Sequence, residues 1–226
     1  MSKLTAPPAT TQDEAVLDSD DLELLLSFFH RRSYRPKTTI IRPGDPANTL
    51  YYIIEGSVTV SLEDEEGREL ILAYVNAGQY LGEIGLFNRT ERRNVLVHTR
   101  TNCEIAEIGY ERLTQLFETQ LAEMYPKLLF VLGKQLSDRL MHTSRKVSRL
   151  AFMDVTGRVA RTLLDLCTEP DAMSHPDGTQ VRISRQEIAR IVGCSREMVG
   201  RVLKTLEHDG LMSVHGKTIV VFDMTD

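Results

Sequence analysis

The stretch from Tyr125 to Leu150 most constrains how this chain can fold. Apolar or small residues recur at Leu129, Leu132, Leu136, Leu140, Thr143, Val147 and Leu150, in steps of 3, 4, 4, 3, 4 and 3. A mean step of 3.5 is a heptad seam, which needs a continuous helix and keeps its stripe on one face over three heptads. Pro126 fits the first turn, where its missing N–H costs nothing. At about 1.5 Å per residue the helix spans roughly 40 Å. An amphipathic helix lying on its own domain is the plainer use of such a stripe. The steady spacing and a change of composition on either side favour a dimer seam.

That change of composition shows in the charge. Residues 1–133 carry 13 Lys/Arg against 20 Asp/Glu, and residues 134–226 carry 14 against 12. Within 181–217 the balance is 7 to 4. A polyanion is therefore expected at the second half. The polar start MSKLTAPPATTQDEA has no apolar signal core, and no run of about 18 apolar residues occurs, so a cytoplasmic protein with no membrane contact is expected. Cys103, Cys167 and Cys194 are far apart and outside any CxxC pattern, and the six His have no metal spacing. No metal site and no catalytic constellation is expected, so the chain reads as a regulator and not an enzyme.

Taken in order, residues 1–17 read as a disordered tail and 18–123 as a β-barrel domain. Residues 124–150 are the dimerisation helix, and 151–226 a DNA-binding domain. A helix is expected from Asp18 to His30. Short β-rich runs (TTII, LYYIIEG, SVTVSL, ELILAYV, NVLVHT, EIAEIG) then alternate with turn signals, among them RPGDPAN, EDEEGR and the GEIG segment. Their spacing suggests a small antiparallel barrel or jelly roll. Tyr110 to Glu123 reads as helix, Ala151 to Leu166 as another, Glu169 to Gly178 as a loop, and QVRIS as a short strand. The fold class is α+β: an N-terminal antiparallel jelly-roll barrel, a long helix and a C-terminal winged helix-turn-helix.

The basic end reads ISRQEIARIVGCSREMVGRVLKTLEHDG. Ser184 with Glu187 forms a capping box, Gly193 ends the first helix, Ser195 caps the second and Gly210 follows it. Two short helices about a Gly-containing turn are a helix-turn-helix. Val199, Val202, Leu203 and Leu206 form its inward face; Arg196, Glu197, Gly200, Arg201 and Lys204 face out. A guanidinium donates two hydrogen bonds to guanine, and a carboxylate accepts from the cytosine amino group. Lys204 and Arg185 suit phosphate better. Leu211 to Phe222 reads as two strands about His215-Gly216-Lys217, a wing that sets Lys217 or His215 near phosphate. A single head reads few bases, so the expected partner is double-stranded DNA with two half-sites, read by a homodimer.

In the barrel, LGEIGLFNRTERRNV holds a weaker signal. Gly82 and Gly85 let backbone N–H groups approach an anion, Glu83 suits a ribose hydroxyl, and Arg93 can pair a phosphate. Gly-rich corners are also common in barrels that bind nothing.

With GEIGLF and a following Arg, the Thr-Ser pair on the long helix, and RQEIARIVGCSREMVGRVL, the chain resembles the bacterial cyclic AMP receptor protein (catabolite activator) family. The likeness runs from about Leu22 almost to the end and includes LAFMDVTGRVARTLLDL and PDAMSHPDGTQ. It implies a cAMP-responsive, homodimeric transcription regulator that binds palindromic promoter sites and contacts RNA polymerase. Gly82 and Glu83 would hold the ribose and cyclic phosphate, Arg93 the phosphate, and Thr143 and Ser144 the adenine, one from each subunit. Arg196, Glu197 and Arg201 would read the half-site, with Arg185, Ser195, Lys204 and Lys217 around them. The loop Ala172, Met173, Ser174, His175, Pro176, Asp177 and Gly178 resembles the family's polymerase contact; His30, Arg32 and Arg112 fall where it keeps a second, basic one. The chain departs from the family at Asn94, where Ser is usual and an amide can still donate to phosphate. It departs also at Arg92, an added charge, and in LFETQLAEMYPKLLF, which is lengthened. Some relatives answer cyclic di-GMP or bind DNA without ligand; Thr143 favours cAMP.

Overall fold

The computed structural model describes residues 17–88 and 91–222. The expected disordered tail lies outside the described residues as far as Val16; Leu17, counted in that tail, packs against the core. The chain divides into two compact units, residues 1–60 with 73–140, and 61–72 with 141–226.

The first unit opens with α1 (Ser19–Ser27), capped by the Asp18 carboxylate on the Asp21 N–H at 2.8 Å. The expected helix to His30 stops early, because Phe29 turns into the core and His30 begins β1 (His30–Tyr34). That strand, HRRSY, is polar because it is an edge strand, paired among the described residues only with β8 (Cys103–Gly109) in register His30↔Glu107. Between them come β2 (Thr39–Ile41), β3 (Thr49–Glu55), β4 (Ser57–Glu63), β5 (Glu69–Asn76), β6 (Tyr80–Leu81) and β7 (Leu96–Thr99). Two four-stranded sheets result, β1-β8-β3-β6, antiparallel throughout, and β2-β7-β4-β5, in which β2 and β7 pair antiparallel.

Strands β3 and β8 of the first sheet are covered on both faces, and the period of two divides their side chains. Ile53, Cys103 and Ile105 point between the sheets, joining Ile41, Val58, Val75 and Val97. Leu50, Tyr52, Ala106 and Ile108 point the other way, onto the helices. Those helices are α1, α3 (Tyr110–Phe117) and the first turns of α4 (Met124–Phe152). The expected helix to Glu123 ends at Phe117, and turns carry the chain to Met124. The GEIG segment, read as a turn, leads directly into α2 (Ile84–Asn88).

Helix α4 contains the whole expected span Tyr125–Leu150, but the expected apolar stripe is not open along its length. Met124, Leu128 and Leu132 are buried in their own unit's core, so Leu132 cannot belong to an open stripe. The exposed positions Phe130, Gly133, Ser137, Leu140, Ser144 and Val147 instead repeat at 3 and 4. Spacing alone could not separate these two faces, which lie side by side on one helix.

In the second unit α4 runs on to Phe152, and Asp154 caps a new helix, α5 (Val155–Leu166), by accepting from the Gly157 N–H at 2.7 Å. Arg149 reaches the Asp165 carboxylate and ties α4 to α5, while Arg161 meets the same carboxylate from within α5. The expected loop Glu169–Gly178 contains a strand, β9 (Met173–His175), which pairs with β10 (Gly178–Arg182). Pro176 and Asp177 give the loop-like composition, but they form only the turn. Helices α6 (Arg185–Val192) and α7 (Arg196–His208) follow, then β11 (Met212–His215) and β12 (Thr218–Phe222). The four strands form one sheet ordered β11-β12-β10-β9. Among the described residues no helix is long and apolar enough to cross a membrane.

Candidate functional site

The cradle in the first unit is built where β6 gives way to α2. Gly82 has φ +91°, a left-handed conformation costly for other residues. A Cβ there would come within 2.6 Å of the Thr49 carbonyl and 3.1 Å of the Arg93 guanidinium. At Gly85 a Cβ would sit 2.5 Å from the Tyr110 hydroxyl. Both glycines are therefore required for close packing, whatever else they do.

Arg93 is anchored by its backbone: its N–H donates to Asp45 O at 2.8 Å and its carbonyl accepts from the Gly44 N–H at 2.8 Å. Its guanidinium donates to Thr49 O at 2.5 Å, Gly82 O at 3.3 Å and the Tyr110 hydroxyl at 3.3 Å. The Tyr110 hydroxyl in turn donates to Gly82 O at 2.5 Å. Burial pushes that phenol up in pKa, and Arg93 beside it opposes the shift. Arg92 is exposed and donates to Gly44 O at 2.9 Å; Asn94 is exposed.

Glu83 is 1% exposed. Arg139 on α4 meets its Oε1 at 2.5 Å, and its Oε2 has no hydrogen-bond partner among the described residues. Arg139 also donates to Tyr80 O at 2.6 Å. One turn earlier, the Gln135 amide accepts from the Tyr80 N–H at 2.8 Å and donates to Tyr80 O at 2.9 Å. Sequence reasoning missed Gln135, Arg139 and Tyr110. The signal for the first two was present: Gln135, Arg139 and Thr143 are polar at four-residue spacing, hence on one helix face. Thr143 and Ser144 lie exposed on the part of α4 that belongs to the second unit.

The second unit carries the helix-turn-helix. Ser184 accepts from the Glu187 N–H at 3.1 Å and Ser195 from the Met198 N–H at 3.2 Å. Gly193 ends α6 in the left-handed conformation, φ +71°. Val199, Val202, Leu203 and Leu206 are all buried. Arg196, Glu197, Arg201 and Lys204 are exposed on the opposite face, with Arg185 at the start of α6. The Arg185 Cδ lies 3.9 Å from where a Cβ on Gly200 would be, so the start of α6 lies beside α7 and adds its charge next to that face. The Glu197 carboxyl is held below its usual range by its own N–H and the Ser195 hydroxyl, with Arg196 and Arg201 adding to the effect. Lys217 is exposed in the β11–β12 turn.

The remaining candidates fall in two places. Ala172 to Gly178 form the β9–β10 hairpin, where His175 Nδ1 accepts from the Asp177 N–H at 3.2 Å. His30 and Arg32 share the edge strand β1 and line an open groove of about 430 Å³ with Tyr51 and Glu107. Arg32 is paired there to Glu107 at 2.9 Å, while Arg112 is exposed on α3.

Comparison with known proteins agrees with both halves. Residues 31–120 match the cyclic nucleotide-binding domain family, and residues 157–226 the Crp-like helix-turn-helix domain family. The chain is 57% identical over 206 residues to the CRP-like protein Clp of Xanthomonas axonopodis pv. citri, covering 91% of this chain and 90% of that protein. A solved structure from Xanthomonas campestris, described as the c-di-GMP responsive global regulator CLP, is 56% identical with a TM-score of 0.88, covering 92% of this chain and all of that one. A CRP/FNR-family transcriptional regulator from Thermus thermophilus is 26% identical with a TM-score of 0.72, over 86% of this chain and 94% of that one. With a cyclic nucleotide-binding domain ahead of a DNA-binding helix-turn-helix, the chain belongs to the CRP family of transcription regulators, which are not enzymes.

Proposed function

We propose that this regulator binds palindromic DNA as a homodimer and answers a cyclic nucleotide, with cyclic di-GMP as the ligand. The observation that carries the nucleotide pocket is the Glu83 carboxylate. It is buried, Arg139 neutralises one oxygen, and the other has no hydrogen-bond partner among the described residues. A buried acceptor left free is costly, and a ribose hydroxyl is a donor of the right kind. Arg93 supports a pocket that is ordered before ligand arrives. To reach a phosphate it must leave Thr49 O and Gly82 O, and charge-assisted bonds of that sort are worth about 1.5–3 kcal/mol each. Only a ligand that returns this energy shifts the conformational balance.

The choice of cyclic di-GMP rests on likeness to a regulator described as responsive to it. One observation favours a second reading, cAMP: Thr143 and Ser144 stand exposed and adjacent on α4, as an adenine contact requires. The dimer is supported by the open stripe of α4. Leu140 is 68% and Val147 59% exposed, and covering such side chains is worth about 1.5–3 kcal/mol each. The β9–β10 hairpin and the basic residues His30, Arg32 and Arg112 are the polymerase-facing candidates on the resemblance.

The test is DNA binding to a palindromic half-site pair with cAMP, cGMP, cyclic di-GMP and no ligand. A response to cyclic di-GMP that disappears in Arg93→Leu, with the dimer intact, is expected. A response to cAMP alone overturns the choice of ligand, and an unchanged titration in the variant overturns the pocket.

A further inference from the structure

We infer that Glu69 is a positioning residue for DNA binding: it clasps the first helix of the helix-turn-helix through Arg190 and so sets where α7 is presented. Glu69 opens β5, a strand of the nucleotide-binding half of the sequence, yet residues 61–72 form one compact unit with residues 141–226. Both oxygens of its carboxylate are used. The hydroxyl of Ser61, which is fully buried, donates to Oε1 at 2.7 Å, and Arg190 on α6 meets Oε2 at 2.9 Å. The Glu69 side chain is 14% exposed and that of Arg190 43%, so the carboxylate end of the pair is shielded while the guanidinium end is open to solvent.

The two residues after Glu69 extend the clasp. The Leu70 Cδ1 lies 3.7 Å from where a Cβ on Gly193 would be, in the turn between α6 and α7. Lys146 on α4 donates through Nζ to the Ile71 carbonyl. Of three successive residues of one strand, Glu69 and Ile71 therefore bind α6 and α4, and Leu70 lies beside the turn between α6 and α7. The same strand continues to Val75, in the core between the barrel sheets. Arg190 sits in the last turn of α6, where a cation also meets the negative end of the helix dipole. Arg185, at the opposite end of that helix, belongs to the basic surface. A phosphate contact by Arg190 is the competing use of the same side chain, and the two uses differ in their dependence on salt.

The experiment compares the full chain with Glu69→Gln, Arg190→Gln and the charge swap Glu69→Arg with Arg190→Glu. Specific and non-specific DNA affinity is measured across a salt series, with active fraction taken from stoichiometric titration. Each single variant should lose affinity for the specific site by about tenfold, within the range of coupling networks. The salt slope should be unchanged, and the swap should recover most of the loss. If Arg190 meets phosphate instead, Arg190→Gln lowers the salt slope by about one and the swap recovers nothing. That result overturns the assignment. So does a fall in melting temperature with unchanged affinity of the active fraction, which would make the clasp a matter of stability alone.

Discussion

Replacing Arg139 by Leu tests whether the Glu83 cradle depends on charge. Arg139 is the counter-ion of a carboxylate that is 1% exposed, while its own side chain is 25% exposed. Removing one member of a buried pair costs about 3–5 kcal/mol, since the remaining charge is left in a poor solvent. Partial access of water to this site puts the expected loss at the lower end, about 3 kcal/mol. Little of it should come from the lost bond to Tyr80 O, because Gln135 still donates to that carbonyl. Glu83→Gln should cost only about 1 kcal/mol, because Arg139 can turn to water. In the double variant neither charge remains, so it should recover about 2 kcal/mol relative to Arg139→Leu; with single losses of about 3 and 1 kcal/mol that is a coupling of about 3 kcal/mol, the upper end for contacting residues. Equilibrium urea unfolding can be followed by tyrosine fluorescence, as the chain has seven Tyr and no Trp. A loss below about 1 kcal/mol for Arg139→Leu, or a double variant no more stable than it, would refute the reasoning.

Three further outcomes are expected. Arg201→Ala should cost about 1–3 kcal/mol on a specific site and relax base preference there; equal loss on every sequence, measured by competition binding, would mean that Arg201 meets phosphate. Leu140→Glu places a charge in the open stripe of α4 and should give a monomer in sedimentation equilibrium; an intact dimer would move the interface elsewhere. Lys146 has its pKa pushed from 10.5 down to about 8, first by burial and then by Arg149. Its folded value lies below its unfolded one, so the unfolded chain binds more protons between these limits. Stability should rise with pH across that window, by up to ~3 kcal/mol, and the cost of the charge is fully present below it. Lys146→Met should flatten the rise; parallel stability profiles for the two proteins between these limits would exclude Lys146 as its source.

The helix-turn-helix was legible because its determinants are local. Ser184, Ser195 and Gly193 cap helices through contacts three or four residues away, and Val199, Val202, Leu203 and Leu206 share a face by period alone. The length of α4 was legible for the same reason. The face it opens was not, since Leu132 and Leu140 are equivalent as letters and differ only in whether a sheet lies beneath them. Strand β1 was missed because an edge strand has polar residues and takes its shape from β8, some seventy positions on. Strand β10 was expected in QVRIS, but its partner β9 was missed because Pro176 and Asp177 dominate the local composition, whereas strand pairing depends on Met173 to His175 finding Gly178 to Gln180.

For the cradle, the sequence alone supplied Gly82, Glu83 and Arg93 as a group of suitable chemistry. It could not say that Arg93 rests on Thr49 O, or that Glu83 is matched by a cation 56 positions away on α4. Nor could it assign Glu69 to the DNA-binding unit. Caps, periods and turn residues are written in neighbouring letters, and these determined most of the helices, the winged helix-turn-helix and the basic outer face of α7. Ion pairs across distant segments, and the burial that decides their strength, exist only once the sheets and helices have packed. Those the tertiary structure decided.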